Sequence, residues 1–208
     1  MTDRQAQKDR LLIATLDHVP FDGWGRRALH RAATDLDLDP ASVRRLFPLG
    51  TESLLAWFDD WADRAMLVSA KERGLDELKV RERITALVRC RLEVLSPHRE
   101  ATRRAILARS LPSGAYVGCQ TVWTTVDRMW AAAGFAEKDG FSYYSRRALL
   151  TGVYVATVLF WLEDKSENFE DSWAFLDRRI GDIMEIQKTR SRFQERWQGL
   201  RWPMGGPV

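Results

Sequence analysis

The 208 residues carry 32 Lys/Arg against 29 Asp/Glu, a formal net charge of +3, with 45% hydrophobic and 29% charged residues; such a chain fills a core, stays soluble, and has the length of one domain or of a small domain joined to a larger one. Cys90 and Cys119 make neither a disulfide framework nor a CxxC pair, so reduced thiols are expected. The charged start MTDRQAQKDR lacks the apolar run of a secretory leader, which predicts a cytoplasmic protein, free or attached to a membrane surface.

Helical periodicity recurs along the chain and no period-2 stretch stands out. A first helix is predicted over about Gln5–His18, with Leu11, Leu12 and Leu16 inward, broken by Pro20 and Gly23. A second runs from about Arg26 to Leu36. After the turn DLDLDP, Asp39 is the expected N-cap and Pro40 the first residue of a short helix ending near Phe47. A long helix follows over about Thr51–Lys71, its stripe formed by Leu54, Leu55, Phe58, Trp61, Ala65 and Met66.

Beyond Gly74 a helix over about Val80–Leu95 offers Ile84, Leu87, Val88, Leu92 and Leu95. Ser96–His98 is expected to open the next one, up to Leu111. Another carries Tyr116, Trp123, Val126 and Trp130 and stops at Gly134, a C-cap position. Then comes FSYYSRRALLTGVYVATVLFW, Phe141 to Trp161, in which Ala148–Leu162 holds no charge. Leu149, Val153, Ala156, Thr157 and Phe160 share one face, and Leu150, Tyr154, Val158 and Trp161 the opposite one. A helix apolar on both sides is expected to be buried on both. It is too short for a bilayer span, which takes about 20 residues. It is therefore a central core helix, the wall of an apolar pocket, or both. Asn168 is the expected cap of a helix holding Trp173, Leu176, Ile180, Ile183 and Met184.

The fold class is all-α, with about nine helices and a C-terminal amphipathic helix. The expected division is a helix-turn-helix-like unit over 1–72, a bundle over 73–185 and a tail over 186–208. The layout is similar to that of tetracycline-repressor-type regulators. His18, His30 and His98 fall on different elements, and the chain has no Glu-x-x-His pair, GxGxxG, P-loop lysine motif or GxSxG. No catalytic residue, cofactor or metal is expected. Arg44 and Arg45 are placed to face DNA. Yet residues 1–50 hold eight Lys/Arg against seven Asp, and Asp35, Asp37 and Asp39 precede the third helix. The aspartates would repel phosphates and almost no basic footprint is left, so no nucleic-acid partner is expected.

The blocks VPFDGW, RRLFP, KVRERI, LSPHREA, FSYYSRRALLTGVY and WAFLDRRI, in this order over nearly the whole chain, resemble the ubiquinone-biosynthesis accessory family, the ninth Coq protein. The resemblance implies a repressor-like helical fold, a homodimer and an apolar cavity for lipids with isoprenoid tails. It also implies support of the di-iron demethoxyubiquinone hydroxylase, to which the quinone is brought. Tyr143, Tyr144 and Met129 then match the family's partner-binding patch, expected near the surface. Where the family has an acid directly before the phenylalanine, this chain has Gly140 before Phe141. A ligand-responsive transcription regulator is the alternative.

With this resemblance, Ile84, Val88, Trp123, Val126, Leu149, Val153 and Phe160 are expected to line one lipid cavity. In the tail, residues 186–208 hold five Lys/Arg against one acid, Glu195. Phe193, Trp197 and Leu200 share a helical face and Trp202 follows, with arginines flanking. That is the composition of a helix lying in a membrane interface, so peripheral membrane association is expected.

Overall fold

The computed structural model describes residues 3–110, 112–135 and 140–183; the tail, with Phe193, Trp197, Leu200 and Trp202, lies outside the described residues. Among those residues there is no strand. In chain order the helices are α1 (Asp3–Asp22), α2 (Arg26–Asp35), α3 (Pro40–Leu46), α4 (Thr51–Glu72), α5 (Val80–Leu95), α6 (Arg99–Ser110), α7 (Pro112–Ala132) and α8 (Gly140–Glu163). A further helix, α9, covers 170–183.

Local chemistry accounts for most of the boundaries. Asp39 accepts from the Ala41 and Ser42 N–H groups at 2.8 and 2.9 Å and Pro40 opens α3, as the spacing predicts. Pro20 does not end α1 but sits within its last turn. Proline keeps a helical φ and forfeits one hydrogen bond, so the helix runs two residues further before Gly23 turns it at φ +72°. At the end of α7, Gly134 takes φ +93°. Its N–H donates to Ala131 O at 3.0 Å and the Phe135 N–H to Trp130 O at 2.9 Å, while the Phe135 and Trp130 rings meet edge-on at 5.6 Å. This is the Schellman pattern with its apolar contact.

The start of α9 departs from expectation. Asn168 is not a cap; it and Phe169 sit in left-handed backbone, at φ 50° and 60°, inside a single 3-10 turn. The cap is Asp164, from the end of α8. One carboxylate oxygen accepts from the Ser166 N–H and hydroxyl, the other from the Ser172 N–H and hydroxyl. Ser166 Oγ in turn accepts from the Asp171 N–H.

One continuous apolar cluster runs from α1 through α4 and α5 to α8, across the division expected near residue 72. α4 packs on α1, α5 and α7, and α1 also lies on α6. The Trp24 Nε1–H of the α1–α2 connection donates to Ala101 O on α6 at 2.8 Å. α8 contributes Leu150, Tyr154, Val158 and the fully buried Trp161 to the core. Its other side is open: Val155, Leu159 and Phe160 are 38%, 52% and 39% exposed. An apolar second face therefore exists without being covered by the described chain.

Candidate functional site

Between α4, α5, α6, α7 and α8 lies a cavity of about 460 Å³. Its apolar wall is built by Leu95, Ala105, Ile106, Val122, Trp123, Val155, Val158 and Leu159. Ala115 and Cys119 on α7, with Val155 and Leu159 on α8, are exposed and form the mouth. α7 comes close to α6 at the glycines: a Cβ on Gly114 would sit 2.9 Å from Ala108 O and Arg109 Cα, and one on Gly118 3.3 Å from Arg109 Cβ. The start of α7 thus needs a residue without a side chain at Gly114, and Gly118 leaves little room for one.

The deep end is polar. Asp59, Arg91, Arg109, Thr125 and Tyr154 line it. Arg91, 5% exposed, donates through Nε to Asp63 Oδ1 at 2.8 Å and through Nη1 to Tyr154 Oη at 2.6 Å. Its Nη2 lies 3.7 Å from Asp59 Oδ1. Arg109 donates to the other Asp59 oxygen, and the Thr125 hydroxyl lies 3.0 and 3.1 Å from the two oxygens of Asp63. Arg128 joins Asp63 to Asp60, at 3.1 and 2.9 Å. Arg64 joins Asp60 to Asp9 on α1, where the Trp57 indole also donates. The result is a ladder of alternating charge from Asp9 to Arg109, four aspartates and four arginines.

Burial pushes the Asp59 carboxyl up, and Arg109 and Arg91 pull against that shift. Burial likewise raises the Tyr154 phenol to about 12, Arg91 opposing, so Tyr154 keeps its proton at neutral pH. Desolvation works against charge on Arg91, but Tyr154, Asp63 and Asp59 hold its value above the ordinary one.

Of the seven residues expected to line a cavity, Trp123 does so. Ile84, Val88 and Val126 are core residues at 3%, 0% and 0% exposure, and Val153 is buried with them. Leu149 is half-buried, and Phe160 stacks on Phe175 at 4.7 Å. The cavity instead uses the stripe Thr151, Tyr154, Val155, Val158 and Leu159 of α8. Both faces of α8 are apolar, so periodicity has no means of ranking them. Asp59, Arg91 and Arg109 were not anticipated. For Arg91 a signal was present: Arg91 and its partner Asp63 fall in register with the inward stripes of α5 and α4, the mark of a buried ion pair.

Tyr144 is 61% exposed and stacks on Trp123 at 6.4 Å. Tyr143 meets it edge-on at 4.9 Å but is buried, its hydroxyl donating to Asp127 Oδ1 at 2.9 Å. The Arg147 guanidinium lies 3.4 Å over the Tyr143 ring. Met129 is fully buried, contrary to its expected place near the surface. It follows Val126 by three residues and precedes Ala133 by four, so it shares their inward stripe. Among the described residues Trp123 alone belongs both to the cavity wall and to this ring series.

The COQ9 family model matches residues 115–187, which take in α7 from its second turn onward and all of α8. The chain is 32% identical to the rat ubiquinone biosynthesis protein COQ9, mitochondrial, over 92% of this chain and 63% of that protein. It is 31% identical to the human protein of that name, over 92% of this chain and 62% of the other. The Xenopus tropicalis protein is 31% identical over 100% of this chain and 67% of its own length. The chain thus spans somewhat less than two thirds of the rat and human relatives. A crystal structure of a TetR transcriptional regulator from Nitrosomonas europaea superposes with a TM-score of 0.70 at 26% identity, covering 85% of this chain and 97% of that one.

Proposed function

Since the chain belongs to the COQ9 family, we propose that it is a non-catalytic accessory protein of ubiquinone biosynthesis. It holds an isoprenoid quinone intermediate in the α4–α8 cavity and presents it to the di-iron demethoxyubiquinone hydroxylase. The observation that carries this reading is an apolar cavity whose wall residue Trp123 also stacks on the exposed Tyr144. Ligand and partner surface then lie side by side. Tyr144 is the anchor of that surface, with Tyr143 behind it as support; Met129 acts only through packing. An exposed aromatic beside a rigid, buried one suits a binding hot spot.

No described helix is long and apolar enough to cross a membrane. In this reading the protein works at the membrane surface, reached through Phe193, Trp197, Leu200 and Trp202, and as a homodimer. Native mass spectrometry of the gently purified chain tests the proposal. A co-purifying prenyl lipid is expected, and a consistently empty protein that takes up no added quinone would sink it. The TetR-type neighbour keeps a ligand-responsive regulator as the second reading; retention on nonspecific DNA that falls steeply with salt would favour it.

A further inference from the structure

Thr151 and Tyr154 stand three residues apart on α8, on one helical face, and both line the cavity. Thr151 Oγ1 is buried and has no hydrogen-bond partner among the described residues. Thr157 on the same helix donates back to Val153 O at 2.7 Å, a bond that Thr151 forgoes. Tyr154 Oη accepts from Arg91, and its own O–H has no acceptor among the described residues. Around these two hydroxyls the charges are already matched, Asp59 between Arg109 and Arg91, Asp63 between Arg91 and Arg128. The cavity wall therefore holds two hydroxyls without an acceptor but, among the described residues, no spare charge.

We propose that the cavity takes its ligand head first, with Tyr154 and Thr151 donating to the oxygens of a neutral ring that bears carbonyl or phenol groups. The prenyl tail leaves through the apolar mouth between α7 and α8. This rests on the lipid-binding reading above and adds the orientation and the two side chains that take the head group. A volume of about 460 Å³ is that of a pocket for a drug-sized ligand, room for a ring and a few isoprene units, so a longer tail must extend outside. A carboxylate or phosphate head would bring a charge for which no unmatched arginine lines the cavity among the described residues. Burying it there costs more than burying a ring oxygen.

The test uses the full chain and three probes: ubiquinone with two isoprene units, the headless prenyl hydrocarbon farnesene, and oleate. Binding is followed by calorimetry and by protection of the exposed Cys119 thiol at the mouth, Cys90 being buried. Tyr154→Phe and Thr151→Val are each expected to weaken the quinone about tenfold, the worth of one hydrogen bond, and to leave farnesene unchanged. Oleate should bind more weakly than the quinone. Unchanged quinone affinity in both variants overturns the head-first orientation, and oleate binding as tightly as the quinone overturns the neutral head group. A wild-type chain that takes up neither quinone nor farnesene overturns the lipid-binding reading and this one with it. Tyr154→Phe also removes a partner from buried Arg91. Thr151→Val breaks no described hydrogen bond, and its result decides if Tyr154→Phe fails to fold.

Discussion

Two aspartates illustrate what a residue's sequence context reveals. Asp39 was readable as a cap because it bonds two and three residues ahead, within the span of a local motif. Asp164 was not, since its partner Ser172 lies eight residues on, past a 3-10 turn. Burial pushes the Asp164 carboxyl up, but the bonds from Ser166 and Ser172 outweigh it and hold the group at about 2. A depressed folded value means stability that is fully present above the unfolded value near 4 and lost as pH falls toward 2. Urea unfolding of the wild type should therefore weaken over that window. Asp164→Asn should lower stability at neutral pH, by about 1–2 kcal/mol for a lost cap, and flatten the acid limb. An unchanged limb in the variant would assign the acid sensitivity to other carboxylates.

At the scale of elements, the helices and most of their ends follow from periodicity, caps and glycines. Which apolar face of α8 meets a void does not, because that depends on how α6 and α7 diverge from it. The uncovered face carries Ala148, Gly152, Val155 and Leu159 at helical spacing, all exposed. Nothing lies within 4 Å of where a Cβ on Gly152 would stand. A glycine inside a helix costs about 1 kcal/mol relative to alanine, so within a lone chain Gly152→Ala should stabilise. If the proposed homodimer forms at the Ala148 and Gly152 end of this face, clear of the mouth at Val155 and Leu159, the small residues there let two helices approach. Gly152→Arg should then yield a folded monomer by light scattering while circular dichroism stays unchanged. A dimer that survives Gly152→Arg locates the contact elsewhere.

The three-helix start and the bundle were legible as separate stretches of chain, but their union was not. It depends on distant pairs, such as Trp24 with Ala101, 77 residues on, Arg128 with Asp60 and Arg64 reaching back to Asp9. Each interior charge of the ladder serves two neighbours, so the array has a parity. An even number of rungs is neutral from end to end, and a single deletion at its buried end, around Asp63 and Arg91, leaves an odd charge buried. Asp63→Asn should cost about 3–5 kcal/mol, the penalty for stranding a buried charge. Removing the terminal pair together, Asp59→Asn with Arg109→Gln, restores evenness. A double-mutant cycle should then find the pair less damaging than the sum of its members, and strict additivity would mean that water already screens that end. The fold accordingly tolerates change in this wall by twos: loss of a rung at the cavity is compensated by loss of the next.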